Sequence, residues 1–100
     1  MTDRPDRSVS PEASVTVRYW AAARAAAGVE SDQVAVSPGT SLADVLAAVR
    51  TLHADRARLA EVLSVCSVLV GDRPVGSREP ADVTLAPGDT VELLPPFAGG

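Results

Sequence analysis

Lysine is absent from this sequence, and all nine basic residues are arginines. The lack of lysine excludes a Schiff-base lysine, the lysine of a Walker-type phosphate-binding loop and an isopeptide acceptor on the chain itself. No glycine-rich run is followed by Lys and then Ser or Thr, so the chain has no ATP-binding loop of this kind. Any step that needs ATP must therefore be carried out by another protein.

Cysteine and histidine are each present once, as Cys66 and His53. One cysteine cannot form an internal disulfide or supply a four-cysteine zinc or iron–sulfur site, and one histidine cannot form a histidine metal cluster. We interpret Cys66 as a buried, inert thiol in an apolar strand. His53, near a helix end, is interpreted as a solvated or capping side chain and not as a base. We therefore expect no resident metal or cofactor.

Positive charge and long apolar runs are also scarce. The net charge is −4, which argues against a nucleic-acid partner because such proteins need a basic surface. No apolar run approaches the roughly 18 residues that a membrane-spanning helix needs. The N-terminal residues are charged and lack the apolar segment of a signal peptide, so we expect a cytoplasmic protein.

The composition is that of one small globular domain. Of its 100 residues, 46% are hydrophobic and 22% are charged, which suits a modest core but not a deep enzyme cleft. Residues 1–13 are polar and are predicted to form a disordered extension. Residues 14–94 are predicted to form the domain, and residues 95–100 a tail.

Strand patterns occur on both sides of a helical region. Alternation over Ser14–Trp20 predicts a half-buried strand in which Tyr19 faces inward. The apolar run Val65–Val70 predicts an inner strand that is buried on both faces. Shorter strands are predicted at Gln33–Val36, around Val75 at an edge because of Pro74, and at Thr90–Leu94 after a Pro87–Asp89 turn, whereas Asp82–Leu85 is ambiguous.

The main helix is predicted from one apolar stripe, and two shorter helices accompany it. Thr40 or Ser41 can cap the main helix, with Asp44 in its first turn. Ala21–Ala27 and Arg56–Leu63 favour short helices, the first ended by Gly28. The order of elements predicts an α+β domain with a sheet of four or five strands. The stripe consists of Leu42, Val45, Leu46, Val49 and Leu52.

The chain ends in an unusual tail, Pro95-Pro96-Phe97-Ala98-Gly99-Gly100. The two prolines fix φ and lower the cost of ordering the tail in a partner. The two glycines lack Cβ, so their backbone can approach a ligand closely. Six residues reach roughly 20 Å when extended at about 3.3 Å each. This is enough to enter another protein's active site.

The segment Ala86–Gly100 resembles the C-terminus of molybdopterin synthase small subunits, which are ubiquitin-like sulfur carriers of the ThiS/MoaD type. This family typically has a Gly-Asp turn, a hydrophobic strand, a Pro-Pro pair, a hydrophobic and a small residue, and Gly-Gly. Val17–Arg24 is similar to the first strand and Ala-Arg turn of the family, and Val68–Asp72 to a later strand and its turn. Gly71-Asp72 replaces the usual Asn in that turn. The resemblance covers residues 15–100.

The resemblance implies a ubiquitin-like β-grasp fold, with a mixed sheet of four or five strands, one main helix and short extra helices. It also implies that the chain is a non-catalytic subunit whose Gly100 carboxylate is the reagent. An E1-like adenylyltransferase would activate Gly100 with ATP, and a sulfur donor would convert it to a thiocarboxylate. The large synthase subunit, in a heterotetramer, would use this sulfur to build the molybdopterin dithiolene. Partners would be bound by Pro95, Pro96, Phe97, Ala98 and Gly99.

Three other functions share the same tail. A related carrier would deliver sulfur to thiazole or cysteine synthesis. A ubiquitin-like modifier would instead join Gly100 to lysines of target proteins. In a simple interaction domain the tail would take part in no reaction, and removal of Gly100 would leave the activity of the protein intact.

Overall fold

A five-stranded mixed sheet forms the frame of the protein in a computed structural model, which describes residues 13–96. The strands lie in the order β2-β1-β5-β3-β4. Strand β5 is parallel to β1, and the other neighbours are antiparallel. The predicted N-terminal extension lies outside the described residues except for Ala13. In chain order the strands are β1 (Ser14–Tyr19), β2 (Ser31–Ala35), β3 (Ser67–Val70), β4 (Arg73–Pro74) and β5 (Thr90–Leu94).

The first strand and the short helix after it follow the sequence pattern closely. Val15, Val17 and Tyr19 of β1 are buried on the inner face of the sheet, as their alternation predicts. Helix α1 (Ala21–Ala27) ends at Gly28, which adopts the left-handed conformation at φ 81° and donates its N–H to the carbonyl of Arg24. The predicted inward position of Tyr19 is confirmed.

The main helix, α2 (Leu42–Leu52), begins with a reciprocal capping box. The Ser41 hydroxyl accepts a hydrogen bond from the Asp44 N–H, and the Asp44 carboxylate accepts one from the Ser41 N–H. Leu52 is 56% exposed, so its predicted place in the apolar stripe was wrong. The helix ends there, and the next residue, His53, turns its side chain inward instead.

Helix α3 (Ala57–Leu63) begins one residue later than predicted and buries Leu59 and Leu63. Val65 and Cys66 belong to the turn that ends α3, since their N–H groups bond to the carbonyls of Val62 and Leu63. Val65 is accordingly 59% exposed.

Strand β3 lies inside the sheet, between β5 and β4. It is not buried on both faces, so the prediction from its apolar run was wrong on this point. It begins at Ser67, which is exposed, and its other residues are only partly buried. The helices bury their apolar residues in one core cluster with the inner side of the sheet. Within residues 13–96 no second helical layer covers the outer side, so β3 lacks the cover that a doubly buried strand needs.

The far edge of the sheet is short, as predicted from Pro74. Strand β4 contains two residues, and Val75 follows it as a buried side chain whose N–H bonds to the carbonyl of Val68. The segment Asp82–Leu85, which the sequence left ambiguous, follows directly from a 3₁₀ turn at Pro80–Asp82 and contains one isolated bridge, between Thr84 and Ser41. This segment therefore joins the start of α2 and not the main sheet.

A polar cluster of Tyr19, Asp32 and His53 closes the end of the core near the C-terminus of α2. The Tyr19 hydroxyl donates a hydrogen bond of 2.8 Å to the Asp32 carboxylate, and His53 Nε2 lies 2.7 Å from the same oxygen. The His53 side chain is only 12% exposed, and its ring packs edge-on against Tyr19. The prediction of a solvated or capping side chain was therefore wrong, although His53 does end α2 as its C-cap residue, through its backbone N–H. Its neighbours along the chain gave no sign of this contact.

None of the helices within residues 13–96 has the length and apolar character required to cross a membrane.

Tyr19 allows a test of this cluster because it is the only tyrosine and the chain has no lysine. Burial, together with the hydrogen bond to Asp32 and its negative charge, raises the pKa of Tyr19 well above its usual value. The folded state therefore keeps Tyr19 protonated while the unfolded chain ionises above about pH 10. The unfolded state then binds fewer protons, so the free energy of unfolding should fall as pH rises above about 10, by up to about 1.4 kcal/mol per pH unit.

The measurement is urea unfolding from pH 9 upwards to about pH 11 in a Cys66→Ser background, which removes the titrating thiol. Absorbance at 295 nm should report tyrosinate only after unfolding. A Tyr19→Phe variant should lose the pH dependence. Tyrosinate that forms in the folded protein near pH 10 would show that the cluster does not hold the proton.

Ala21, the first residue of α1, has φ 49°, which is a left-handed conformation that glycine adopts more easily. Ala21→Gly should remove a strain of about 1–2 kcal/mol, and its net effect on unfolding should be neutral or stabilising. The control is Ala22→Gly at the next, exposed position, which should destabilise by about 1 kcal/mol. Urea unfolding followed by circular dichroism distinguishes them. Equal losses in both variants would contradict the strained conformation.

Candidate functional site

The predicted tail leaves the domain from β5, a central strand that is held on both sides. Val91 and Leu93 are fully buried on its inner face, and Leu94 is partly buried at its end. Pro95 is still partly buried, whereas Pro96 is exposed. The chain therefore passes from core to solvent within three residues. The root of the tail, Leu94–Pro96, is directed by a strand that cannot shift without disrupting the core.

The start of β5 is fixed by the turn that the sequence predicted at Pro87–Asp89. Gly88 lies at φ 91°, and its N–H donates a 2.8 Å hydrogen bond to the carbonyl of Ser14. The carbonyl of Asp89 accepts from Thr16 N–H, and its carboxylate accepts from Ala86 N–H. These bonds tie the turn to β1 and set the register of β5. The Gly-Asp pair thus positions the strand that carries the tail.

Trp20 lies beside the root of the tail, on the outer side of the sheet. Its indole Nε1–H donates a 2.9 Å hydrogen bond to the Glu92 carboxylate, and its backbone N–H bonds to the carbonyl of Leu93. The Arg18 guanidinium lies 4.9 Å from the centre of the ring, a cation–π distance. The side chain is still 39% exposed. An aromatic surface with a fixed orientation therefore adjoins the tail.

Cys66 also lies close to the tail root, a position that sequence reasoning did not suggest. The next residue, Ser67, is paired with Leu94 at the end of β5. Cys66 is only partly buried and precedes β3, so the prediction of a buried thiol within a strand was wrong in its position and holds only in part for its burial. Burial raises the pKa of the Cys66 thiol, which reduces the fraction of nucleophilic thiolate at neutral pH. This supports the interpretation of a weakly reactive thiol.

The structure describes two of the six predicted site residues. Pro95 and Pro96 lie at the end of β5, but Phe97, Ala98, Gly99 and Gly100 lie outside the described residues. The reactive carboxylate therefore stays a prediction. Within residues 13–96 no group of three or more His, Cys, Asp or Glu side chains could hold a metal ion. The described part of the site supplies direction and surface around the tail.

The contacts that sequence reasoning missed join residues far apart in the chain. The Trp20–Glu92 hydrogen bond spans 72 positions. No local pattern reports it. The parallel pairing of β1 with β5, which the structure shows, also places Arg18 opposite Glu92.

Comparison with known proteins identifies the family. A sequence model described as the ThiS family matches residues 17–100 of the chain. No curated protein sequence matches at a significant level.

Several solved structures have a similar fold. The crystal structure of small archaeal modifier protein 1 (SAMP1) from Haloferax volcanii is 23% identical, with a TM-score of 0.72, and the match covers 87% of this chain and 99% of that chain. Protein HVO 2177 of Haloferax volcanii is 28% identical, with a TM-score of 0.68, covering 100% of this chain and 98% of that chain.

A third similar structure is a complex of subunits 1 and 2 of molybdopterin-converting factor from Helicobacter pylori 26695. The matched chain is 24% identical, with a TM-score of 0.59, and the match covers 87% of this chain and 99% of that chain. The predicted β-grasp fold is confirmed by this set of neighbours and by the sheet order. The family match extends through the strand β5 and the tail. The chain therefore belongs to the ThiS family of ubiquitin-like sulfur carriers.

Proposed function

We propose that this protein is the small, non-catalytic subunit of a molybdopterin synthase and carries sulfur on the C-terminal carboxylate of Gly100. The strongest support is that the central strand β5, the two prolines and the family match form one continuous segment at this end of the chain. A buried central strand runs directly into Pro95-Pro96, and the sequence match to the sulfur-carrier family continues to residue 100. The Pro-Pro-Phe-Ala-Gly-Gly end favours the molybdopterin pathway among the possible sulfur acceptors.

The proposed chemistry has two steps at the Gly100 carbonyl carbon. An E1-like adenylyltransferase binds ATP, a carboxylate oxygen attacks the α-phosphorus, and pyrophosphate leaves. Hydrosulfide supplied by a sulfur donor then attacks the acyl carbon, the carbon–oxygen bond to AMP breaks, and AMP leaves, which gives the thiocarboxylate and one proton. The large subunit transfers this sulfur to the pterin precursor. Both ATP and the sulfur donor are used by the activating enzyme, and this chain supplies only the carboxylate.

The described residues suit this role because they fix the direction of the tail root and limit its conformations. The tail root is held by β5, so partners meet the tail in one direction, while Pro95 and Pro96 limit the conformational freedom that binding must remove. The exposed face of Trp20, oriented by Glu92 and Arg18, provides an aromatic contact beside the tail. A partner that receives the tail would cover this side chain. The large subunit is the partner we propose, in a heterotetramer.

The direct test is the intact mass of the protein purified from cells with a working activation pathway. We expect a species in which one sulfur replaces one oxygen, located at Gly100 by fragmentation. A variant that lacks Gly100 should fold normally and carry no such sulfur. If no species with sulfur in place of a carboxylate oxygen appears in any preparation, the carrier function is wrong.

The pathway is tested separately by the growth of a deletion strain. Loss of molybdoenzyme activity, restored by the intact chain but not by the chain without Gly100, is the expected result. Dependence on thiamine or cysteine would instead assign the sulfur to thiazole or cysteine synthesis. Covalent joining of Gly100 to lysines of other proteins, detected as peptide adducts, would assign the chain to the protein modifiers.

A further inference from the structure

A groove of about 460 Å³ lies between helix α2 and the β3–β4 edge of the sheet. Its apolar lining includes Leu46 of α2, Leu63 of α3 and Val75 after β4. Leu63 and Val75 belong to the buried core, and Leu46 packs against it, so the groove is a partly open extension of the core. An apolar side chain placed there would bury further surface without displacing the core.

Two arginines, Arg50 and Arg78, also line this groove. Within residues 13–96 neither arginine lies within ion-pair distance of a carboxylate, and the only arginine found in an ion pair there is Arg24, with Glu30. Arg50 lies in the last turn of α2, and Arg78 lies in the loop after β4. Two unpaired guanidinium groups beside an apolar lining favour a ligand that combines an apolar group with a carboxylate.

The groove begins next to the root of the tail. Ser67 lines it and is also the partner of Leu94 in the pairing of β3 with β5. Neighbouring strands are about 4.8 Å apart, so the tail leaves the sheet one strand away from the groove. The four residues after Pro96 reach about 13 Å at roughly 3.3 Å each. This length spans one strand and leaves enough chain to enter the groove.

We propose that, before activation, the groove binds Phe97–Gly100 of the same chain. The Phe97 ring contacts the apolar lining near Leu46 and Val75, and the terminal carboxylate pairs with Arg50 and Arg78. The contact shields the carboxylate until an activating partner withdraws the tail. This binding is separate from the fate of the sulfur and does not require that the proposed acceptor pathway be correct.

The short link between groove and tail favours binding within one chain over capture from a second copy. A tail tethered so close to its site acts at an effective concentration of the order of mM. One aromatic contact and the pairing of one carboxylate with two exposed arginines are weak interactions. A separate peptide at a concentration well below mM would therefore leave the groove largely empty. Such weakness also permits release, since a partner needs to compete against only these contacts.

Cys66 lines the same groove and, as the only cysteine, reports its occupancy. The experiment measures the rate of alkylation of the thiol by iodoacetamide, an uncharged reagent, in the full chain and in a chain that ends at Pro96. We expect the truncated chain to react several-fold faster because the groove is open. Phe97→Ala should give a similar increase.

Arg78→Gln tests the carboxylate contact and has a matched control. Loss of a nearby positive charge alone would disfavour the thiolate and slow alkylation, whereas release of the tail would accelerate it. We expect acceleration. The control Arg58→Gln changes an exposed arginine of α3 that does not line the groove, and it should leave the rate unchanged. Urea unfolding confirms that each variant is folded.

Equal alkylation rates in the full and truncated chains would overturn the proposal, as would slower alkylation in Arg78→Gln. Protection that increases with protein concentration would assign the groove to the tail of a second copy and would also overturn it. Nuclear Overhauser contacts between the single phenylalanine ring and Leu46 or Val75 give an independent check. Sulfur on Gly100 is measured separately, by intact mass. A chain that carries sulfur but whose Cys66 is not protected from alkylation rejects only the binding of the tail in the groove. A chain whose Cys66 is protected but that never carries sulfur rejects only the carrier function.

Discussion

The parallel pairing of β1 with β5 is the constraint on which the rest of the structure depends. It joins the first and last strands in the centre of the sheet, with Val17 opposite Val91 and Arg18 opposite Glu92. Parallel neighbours cannot be connected by a tight turn, so the chain between them must cross the sheet. That intervening chain supplies the helices and the remaining strands. Both strands run toward the same end of the molecule, which places the tail beside Tyr19 and Trp20.

The pairing is secured at both ends by contacts outside the ladder. At its start, Gly88 bonds to Ser14, and at its end Trp20 bonds to Glu92. A slip of one residue would place Val91 and Leu93 on the outer face, so burial opposes it as well. The result is a tail with a fixed origin. The strand that precedes the tail is therefore already fixed before any partner binds, which lowers the entropy cost of binding at this end of the protein.

Two side chains that could act as nucleophiles or acids in the described domain are held in their neutral forms. The hydroxyl of Tyr19 is held by Asp32 beside His53, and burial raises the pKa of both Tyr19 and Cys66. Both groups are therefore poor nucleophiles at neutral pH.

The sequence by itself determined the elements that depend on neighbours a few residues away. The stripe and the Ser41–Asp44 cap specify α2, alternation specifies β1, and the Pro87–Asp89 turn precedes β5. Family membership was also readable, because its motif is local and continuous. Only the tertiary structure decided the exposed face of β3, the inward turn of His53 and the proximity of Cys66 to the tail. These features depend on which layer covers a residue and on contacts between distant segments, and local periodicity carries no information about either.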